Sequence, residues 1–132
     1  MYNALAWYLS LAPVDFRNPQ RALECAHRAL ALEPGNLAYV NTLGLAFYRQ
    51  GEFPLAVEAL KLSLRGSSQP VFDLCGLALC HQRAGEARLA ADFATRAEYL
   101  FTTHGADWSR QDQIEYERLR DEYQSGVKSS DP

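Results

Sequence analysis

Cysteine and histidine side chains are the groups in this chain best suited to metal binding or catalysis, and their spacing limits what they can do. The closest group is Cys75 and Cys80, with His81 directly after Cys80. On a helix, residues five apart diverge by about 140°, because each residue turns the helix by about 100°. Zinc sites use cysteine pairs two to four residues apart. The spacing therefore favours buried thiols and predicts no metal site.

The remaining histidines suggest no catalytic centre. Cys25 and His27 are separated by one residue, and His104 is predicted to lie in a polar loop. A proton-carrying role for His81 requires a partner carboxylate, and the candidate in this stretch, Asp73, lies too far round the same helix. The chain contains no G-x-S-x-G, H-E-x-x-H, G-x-x-x-x-G-K or G-x-G-x-x-G motif. It is predicted to be no enzyme and to need no cofactor.

Composition and charge argue against several classes of partner. The chain has 132 residues, of which 48% are hydrophobic and 22% charged, and a formal net charge of −3. Acidic and basic side chains balance over residues 1–104, so residues 105–132 supply the whole negative excess. Because residues 1–104 carry no basic stripe, the sequence argues against binding to nucleic acid or to a membrane surface.

Compartment is predicted from the cysteines and from the start of the chain. Three cysteines are an odd number, in segments that read as buried helix, which is typical of reduced thiols. The first residues lack a basic segment ahead of an apolar one, so no signal peptide is predicted. No apolar run approaches the ~20 residues of a membrane span. We expect a cytoplasmic protein.

An internal repeat organises the middle of the chain. Residues 37–70 align with residues 71–104 without a gap, and seven positions are identical. A fixed period of this length is typical of helical solenoids, in which each repeat buries its face against its neighbours. Gly51 and Gly85 occupy equivalent positions in the two copies, where the chain must turn between two helices. The identical pairs are Leu43/Leu77, Leu45/Leu79, Arg49/Arg83, Gly51/Gly85, Glu52/Glu86, Leu55/Leu89 and Ala56/Ala90.

An earlier and distorted copy of the repeat precedes this pair. Asn18 followed by Pro19 is a strong start signal for its second helix. If this copy kept the 34-residue period strictly, Pro13 would lie in the middle of its first helix, where a proline costs ~3 kcal/mol. The first helix is therefore predicted to end near Leu11, and a long loop is predicted over residues 12–17.

After residue 104 the repeat fades, and an amphipathic helix is predicted over about residues 109–125. Ser109 is a typical N-cap residue, and Gly126 is predicted to end the helix. Residues 127–132 have little to bury and are predicted to fray. The helix is predicted to shield the last repeat. Its apolar stripe is Tyr116, Leu119 and Tyr123, and the rest of its surface carries Glu115, Glu117, Arg118, Arg120, Asp121 and Glu122.

The repeat resembles the tetratricopeptide repeat (TPR) family, whose signature places a Leu-Gly pair, an aromatic residue and two alanines at fixed offsets. The resemblance implies an all-α, right-handed α-solenoid of three helix–turn–helix repeats, over about residues 2–36, 37–70 and 71–104, with a C-terminal capping helix in a single domain over 1–126. The segments 41–44 and 72–74 are similar to those of a bacterial, planctomycete-type TPR subtype that occurs in long multidomain proteins. The signature positions here are Leu43-Gly44, Leu77-Ala78, Phe47, Ala56 and Ala90; the departures are Val40, Leu74, His81, Ser68 and Thr102.

This resemblance implies a function in binding a protein or peptide. In the family, the first helix of each repeat lines a concave groove that holds a peptide or a partner helix. The carboxylate clamp of chaperone-binding members is not reproduced here, because its positions hold Asn3, Trp7, Thr42, Phe72 and Gly76. The predicted groove residues are Asn3, Trp7, Asn41, Leu45, Tyr48, Arg49, Phe72, Cys75, Leu79, Gln82 and Arg83.

Several alternatives remain open from the sequence. Tyr48 and Phe72 are expected to make surface contacts with a partner. Arg49 and Arg83 fit equally as groove anchors and as cations at the negative ends of their helices. The chain could also be a regulatory or assembly arm of a larger protein, such as a serine/threonine kinase. Self-association through an uncapped N-terminal end of the solenoid is a further alternative.

Overall fold

This computed structural model describes residues 1–12 and 17–130 of the chain. Over that part the chain is all-α, as predicted. The predicted loop over 12–17 lies largely outside the described residues. The helices are α1 (Tyr2–Leu11), α2 (Pro19–Leu32), α3 (Leu37–Arg49), α4 (Phe53–Leu64), α5 (Pro70–Arg83), α6 (Ala87–His104) and α7 (Arg110–Ser130), with a short 3₁₀ turn, Gly105–Asp107, between the last two.

Local signals set the helix ends. The side chain of Asn18 accepts a hydrogen bond from the Arg21 N–H at 3.1 Å at the start of α2. Ser109 does the same for the Asp112 N–H, also at 3.1 Å, at the start of α7. Each bond satisfies an N–H that has no partner within its helix. The turns after α3 and α5 place Gly51 at φ 81° and Gly85 at φ 83°, a left-handed conformation that favours glycine.

The helices pack as three hairpins in sequence order. Helices α1 and α2, α3 and α4, and α5 and α6 pair with each other, α2 packs on α3, and α4 packs on α5. The first helices also contact one another, α1 with α3 and α3 with α5. Asn41 near the start of α3 bonds to Asp73 near the start of α5, while Arg49 at the end of α3 bonds to Ser10 at the end of α1. These pairings show that the three first helices run in the same direction.

Small residues allow the hairpins to approach closely. A Cβ added to Gly44 or to Gly76 would lie within 2.7 Å or 2.8 Å of the Leu60 side chain. Leu60 is 1% exposed, so it is enclosed between glycines of α3 and α5. The first hairpin packs on a cluster of small side chains, Ala6, Ala22, Cys25, Ala26 and Ala46.

The last helix returns to the first helices of the hairpins. It packs on α5 and reaches α1. It also continues to Ser130, so the prediction that Gly126 ends it was wrong. Gly126 lies against the Gln82 side chain on α5, where a Cβ would collide. The glycine therefore serves a close approach within a continuing helix. Within the described residues, every helix is too short or too polar to cross a bilayer.

Candidate functional site

All of the predicted groove residues belong to α1, α3 and α5, and we call the surface of these helices that faces α7 the inner face. Four predicted residues bond directly to α7: Trp7, Tyr48, Arg49 and Gln82. The side chains predicted to hold a partner thus hold a helix of the same chain. The contacts fall into two polar groups separated by an apolar centre.

The first polar group surrounds Glu122, and we call it the Glu122 cluster. Its Oε2 accepts hydrogen bonds from Arg49 Nη1 at 2.6 Å and from the Tyr48 hydroxyl at 2.8 Å. Arg17 Nη2 lies 3.7 Å from the other carboxylate oxygen. Arg49 is held in turn, because its Nε donates to the Ser10 carbonyl at 2.6 Å. The cluster therefore joins α7 to the C-terminal ends of α1 and α3.

Opposing effects act on the ionisation of this cluster. Burial raises the pKa of Glu122, but the hydrogen bond and charge of Arg49, with Tyr48 and Arg17, outweigh burial and hold the pKa below its ordinary value. Burial, with the Glu122 charge, raises the pKa of Tyr48. The cluster is therefore an anionic carboxylate that accepts bonds from a cation and a neutral phenol.

The apolar centre of α7 is the predicted stripe. Tyr116 and Leu119 are each 1% exposed, and Tyr123 is half-buried against the main core. The Tyr116 ring lies 4.7 Å from the ring of Phe101 on α6, and its hydroxyl donates to Glu98 Oε2 at 2.5 Å. The stripe is thus fully used inside the chain.

The second polar group lies at the N-terminal end of α7. Trp7 Nε1 donates to Glu115 Oε2 at 2.8 Å, and Gln111 Nε2 donates to Glu115 Oε1 at 2.9 Å. Gln69 Nε2 donates to Asp112 Oδ2 at 2.7 Å. Both donors to Glu115 are neutral, and no arginine, lysine or histidine of the described residues forms an ion pair with it.

A cavity of about 400 Å³ adjoins this second group, and we call it the Glu115 cavity. The rings of Trp7 and Phe72 stand at 85° with centroids 5.5 Å apart, and both line it. The remaining walls include Asn3, Asn41, Asp112 and Glu115. The cavity lies between the N-terminal parts of α1, α3, α5 and α7 and is open to solvent.

Asn41 connects the cavity wall to a buried carboxyl group. Its Nδ2 donates to Asp73 Oδ1 at 2.6 Å, and Asp73 is 0% exposed. Burial raises the pKa of Asp73, while the neighbouring Ser63, Asn41 and Ser67 side chains offset part of that rise. Asp73 is therefore a structural partner of Asn41 and lies behind the inner face.

The other predicted groove residues divide between core and surface. Leu45, Cys75 and Leu79 are buried in the main apolar cluster. Tyr48 and Phe72 are also buried, at 4% and 6% exposure, because Tyr48 contacts Glu122 of α7 and Phe72 contacts Trp7 of α1. Arg83 is exposed.

The two repeat-related arginines have different surroundings. The Arg49 side chain is 6% exposed and paired with Glu122. Arg83 lies with its guanidinium carbon 5.7 Å from the centre of the Phe53 ring. The position of α7 therefore gives these two equivalent arginines different partners.

Glu115 and Glu122 bond to predicted groove residues, although the sequence pattern did not single them out. Both belong to the surface predicted as charged on the last helix, yet Glu115 is 9% exposed and the Glu122 side chain 24%. A signal did exist, because residues seven apart on a helix share a face. Glu115 and Glu122 are seven apart and each adjoins a member of the apolar stripe.

Neither the thiols nor the potential metal-binding side chains of the described residues form an exposed cluster. Cys25, Cys75 and Cys80 are free and buried, and burial raises the pKa of Cys75 and of Cys80 to about 12. Thiols in this state are poor nucleophiles. Among the described residues, no group of His, Cys, Asp and Glu side chains could hold a metal ion.

His81 has a carboxylate partner other than the one considered from the sequence. Its Nδ1 lies 3.2 Å from Glu86 Oε1, and its ring stacks on Phe93 with centroids 5.5 Å apart and planes at 8°. Asp73 is engaged by Asn41. His81 therefore fills an aromatic position in the packing of α5 on α6.

Comparison with known proteins adds no assignment: no protein-family model and no curated protein matches this chain. The functional argument therefore rests on the inner face and its contacts.

Proposed function

We propose that this chain is a protein-interaction module whose inner face binds an amphipathic helix of a partner. In this proposal the three hairpins are TPR-like repeats of a right-handed α-solenoid, and α7 is an internal ligand of the groove. The observation that carries the proposal is that Trp7, Tyr48, Arg49 and Gln82 all donate hydrogen bonds to one helix.

The chemistry of these donors supports helix recognition. Three of the four are Trp, Tyr and Arg, the residue types that most often dominate binding energies at interfaces. Gln82 donates to the Tyr123 carbonyl at 2.8 Å, which is a main-chain contact and independent of the ligand side chain. The apolar centre accepts residues spaced at i, i+3 and i+7, the usual pattern of a helix bound in a groove.

The contacts of α7 also define the partner. A helix that replaces α7 needs two apolar anchors where Tyr116 and Leu119 lie and a carboxylate where Glu122 meets Arg49. It must compete with a tethered helix, whose effective concentration is on the order of millimolar. We therefore expect an acidic amphipathic partner helix whose binding requires α7 to leave.

A labelled peptide of residues 109–127 tests whether the inner face binds a helix in trans. The Leu119→Ala substitution in the full chain should weaken α7 by about 3 kcal/mol, because it removes a buried side chain, while the inner face keeps all its residues. We expect this variant to bind the peptide on the order of a hundredfold more tightly than the unmodified chain. Fluorescence anisotropy measures both affinities.

Controls distinguish binding in the groove from nonspecific binding to apolar surface that the substitution exposes. Val127→Ala changes an apolar residue of the same helix that is 46% exposed and should leave peptide affinity unchanged. Arg49→Met added to Leu119→Ala should weaken peptide binding by about tenfold, because the peptide's Glu122 loses its cation. The proposal fails if Leu119→Ala keeps its helical circular dichroism and binds the peptide no better than the unmodified chain does.

A further inference from the structure

The Glu115 cavity suggests a role other than helix binding, because the cavity is open while α7 is in place. Its volume of about 400 Å³ falls within the range of small-ligand sites, roughly 300–1,000 Å³. Its floor is well buried: Asn41 and Glu115 are each 9% exposed, Phe72 6% and Thr42 2%. The cavity is therefore a preformed recess with polar groups held in place.

The charge in this recess has one sign. Glu115 and Asp112 contribute carboxylates, and no lysine, arginine or histidine occurs among the described residues that line the cavity. The donors that Glu115 already binds, Trp7 and Gln111, are neutral. A buried carboxylate without a cation favours a positively charged ligand and disfavours an anionic one.

The acceptor oxygens at the cavity come from α7. Asp112 and Glu115 both line the cavity, and their carboxylates accept hydrogen bonds from the neutral side chains of Gln69, Trp7 and Gln111. A carboxylate oxygen can accept more than one hydrogen bond, so a ligand that brings N–H donors would use the remaining acceptor capacity.

The aromatic walls select the rest of the ligand. Trp7 and Phe72 meet at 85° and bound the cavity with apolar surface. Aromatic rings attract organic cations and pack on alkyl chains. A hydrated metal ion would not use this surface, whereas a cation on an apolar stem would use both the rings and the carboxylates.

From these observations we infer that the Glu115 cavity binds a primary alkylammonium group, carried either by a free amine or by a lysine side chain of a peptide. The ammonium lies between Glu115 and Asp112, and its alkyl stem lies against Trp7 and Phe72. This inference applies to the chain with α7 in place, because Glu115 and Asp112 belong to α7. It does not require that a partner helix binds the inner face.

Nuclear magnetic resonance of the full chain tests this inference directly, with the Trp7 indole N–H as the reporter and the Trp108 indole as an internal control. The probes are butylamine, 1,4-diaminobutane and an acetylated lysine peptide, each compared with an uncharged counterpart (1-pentanol or a norleucine peptide). We expect the ammonium probes to shift the Trp7 signal and to bind at least tenfold more tightly than the uncharged ones. Tighter binding of the diamine or of the lysine peptide tells which source of the ammonium the cavity prefers.

Variants of α7 locate the effect. Glu115→Gln keeps an acceptor for Trp7 but removes the charge, and it should weaken ammonium binding about tenfold. Glu117→Gln makes the same change about 200° round the same helix and should leave the affinity unchanged. Equal binding of charged and uncharged probes by the unmodified chain overturns the inference, as does equal loss in both variants. The first criterion holds even if Glu115→Gln disturbs the position of α7.

Discussion

Two glutamates on one face of α7 have contrasting environments. Glu122 bonds to Arg49 at 2.6 Å and to Tyr48 at 2.8 Å, so its charge is matched by a cation inside the chain. Glu115 bonds to Trp7 and Gln111, which are neutral, and it borders a cavity. The same helix therefore completes the inner face at one end and leaves an acceptor site at the other.

The contrast teaches how one surface can both hold its own helix and keep a site open. A buried ion pair with hydrogen bonds on both partners fixes the position of a helix, although its net contribution to stability is small. A buried carboxylate bound only by neutral donors keeps an unmatched charge. The Glu122 cluster is thus suited to anchoring, and the Glu115 cavity is suited to binding.

The largest expected effect comes from removing the ring between the two ends. Tyr116→Ala deletes a side chain that is 1% exposed and should lower the free energy of unfolding by about 4 kcal/mol. Tyr99→Ala removes the same ring from a site that is 65% exposed and should cost less than about 0.5 kcal/mol. Urea unfolding followed by circular dichroism measures both. Similar costs for the two variants would show that α7 is not packed as described.

A smaller effect should separate the two repeat-related arginines. Arg49→Met leaves Glu122 without its cation and should lower the free energy of unfolding by about 2 kcal/mol, below the range for fully buried pairs because the Glu122 side chain is 24% exposed. Arg83→Met changes the same residue type one repeat later, at an exposed site, and should cost less than about 0.5 kcal/mol. Thermal unfolding of both variants decides the matter; comparable costs would contradict the anchoring role of Glu122.

Acid should lower the stability that the Glu122 cluster contributes. We expect this loss to be smaller than the loss caused by Arg49→Met. The pKa of Glu122 in the folded chain lies below its ordinary value of 4.5. The unfolded chain therefore takes up this proton first, and the stability that Glu122 contributes above pH 4.5 is lost as the pH falls through the lower, folded-state pKa.

The matched variant isolates this contribution from other carboxyl groups. Asp73 acts in the opposite sense, because burial raises its pKa in the folded chain. The difference in unfolding free energy between the unmodified chain and Glu122→Gln should therefore shrink between about pH 6 and pH 3. A difference that stays constant over that range would rule out an ionised Glu122 as the anchor.

Helix ends and turns were predictable because their causes are local. Asn18 and Ser109 act through hydrogen bonds three residues away, and Gly51 and Gly85 adopt a left-handed conformation that the turn itself requires. The 34-residue period indicated paired helices, because a fixed period of this length is typical of helical repeats. The end of α7 was mispredicted, because the low helix propensity of Gly126 did not end the helix, and Gly126 instead lies close to the Gln82 side chain of another helix.

The candidate site was predictable only in part. The sequence pattern selected Trp7, Tyr48, Arg49 and Gln82, which do meet one helix. It treated Arg49 and Arg83 alike, because they are equivalent in the repeat, and it did not single out Glu115 or Glu122. Which of two equivalent arginines meets a carboxylate depends on a contact between residues 73 positions apart.

The amino-acid sequence by itself determined the helical content, the limits of most helices and the side chains that share a face, because these follow from hydrogen bonds and periodicities within a few residues. Only the tertiary structure decided that α7 lies on the inner face, that Tyr48 and Phe72 are buried, and that Glu122 is paired while Glu115 borders a cavity. The physical reason is that burial and charge pairing depend on distances between helices, and local sequence preference does not specify those distances.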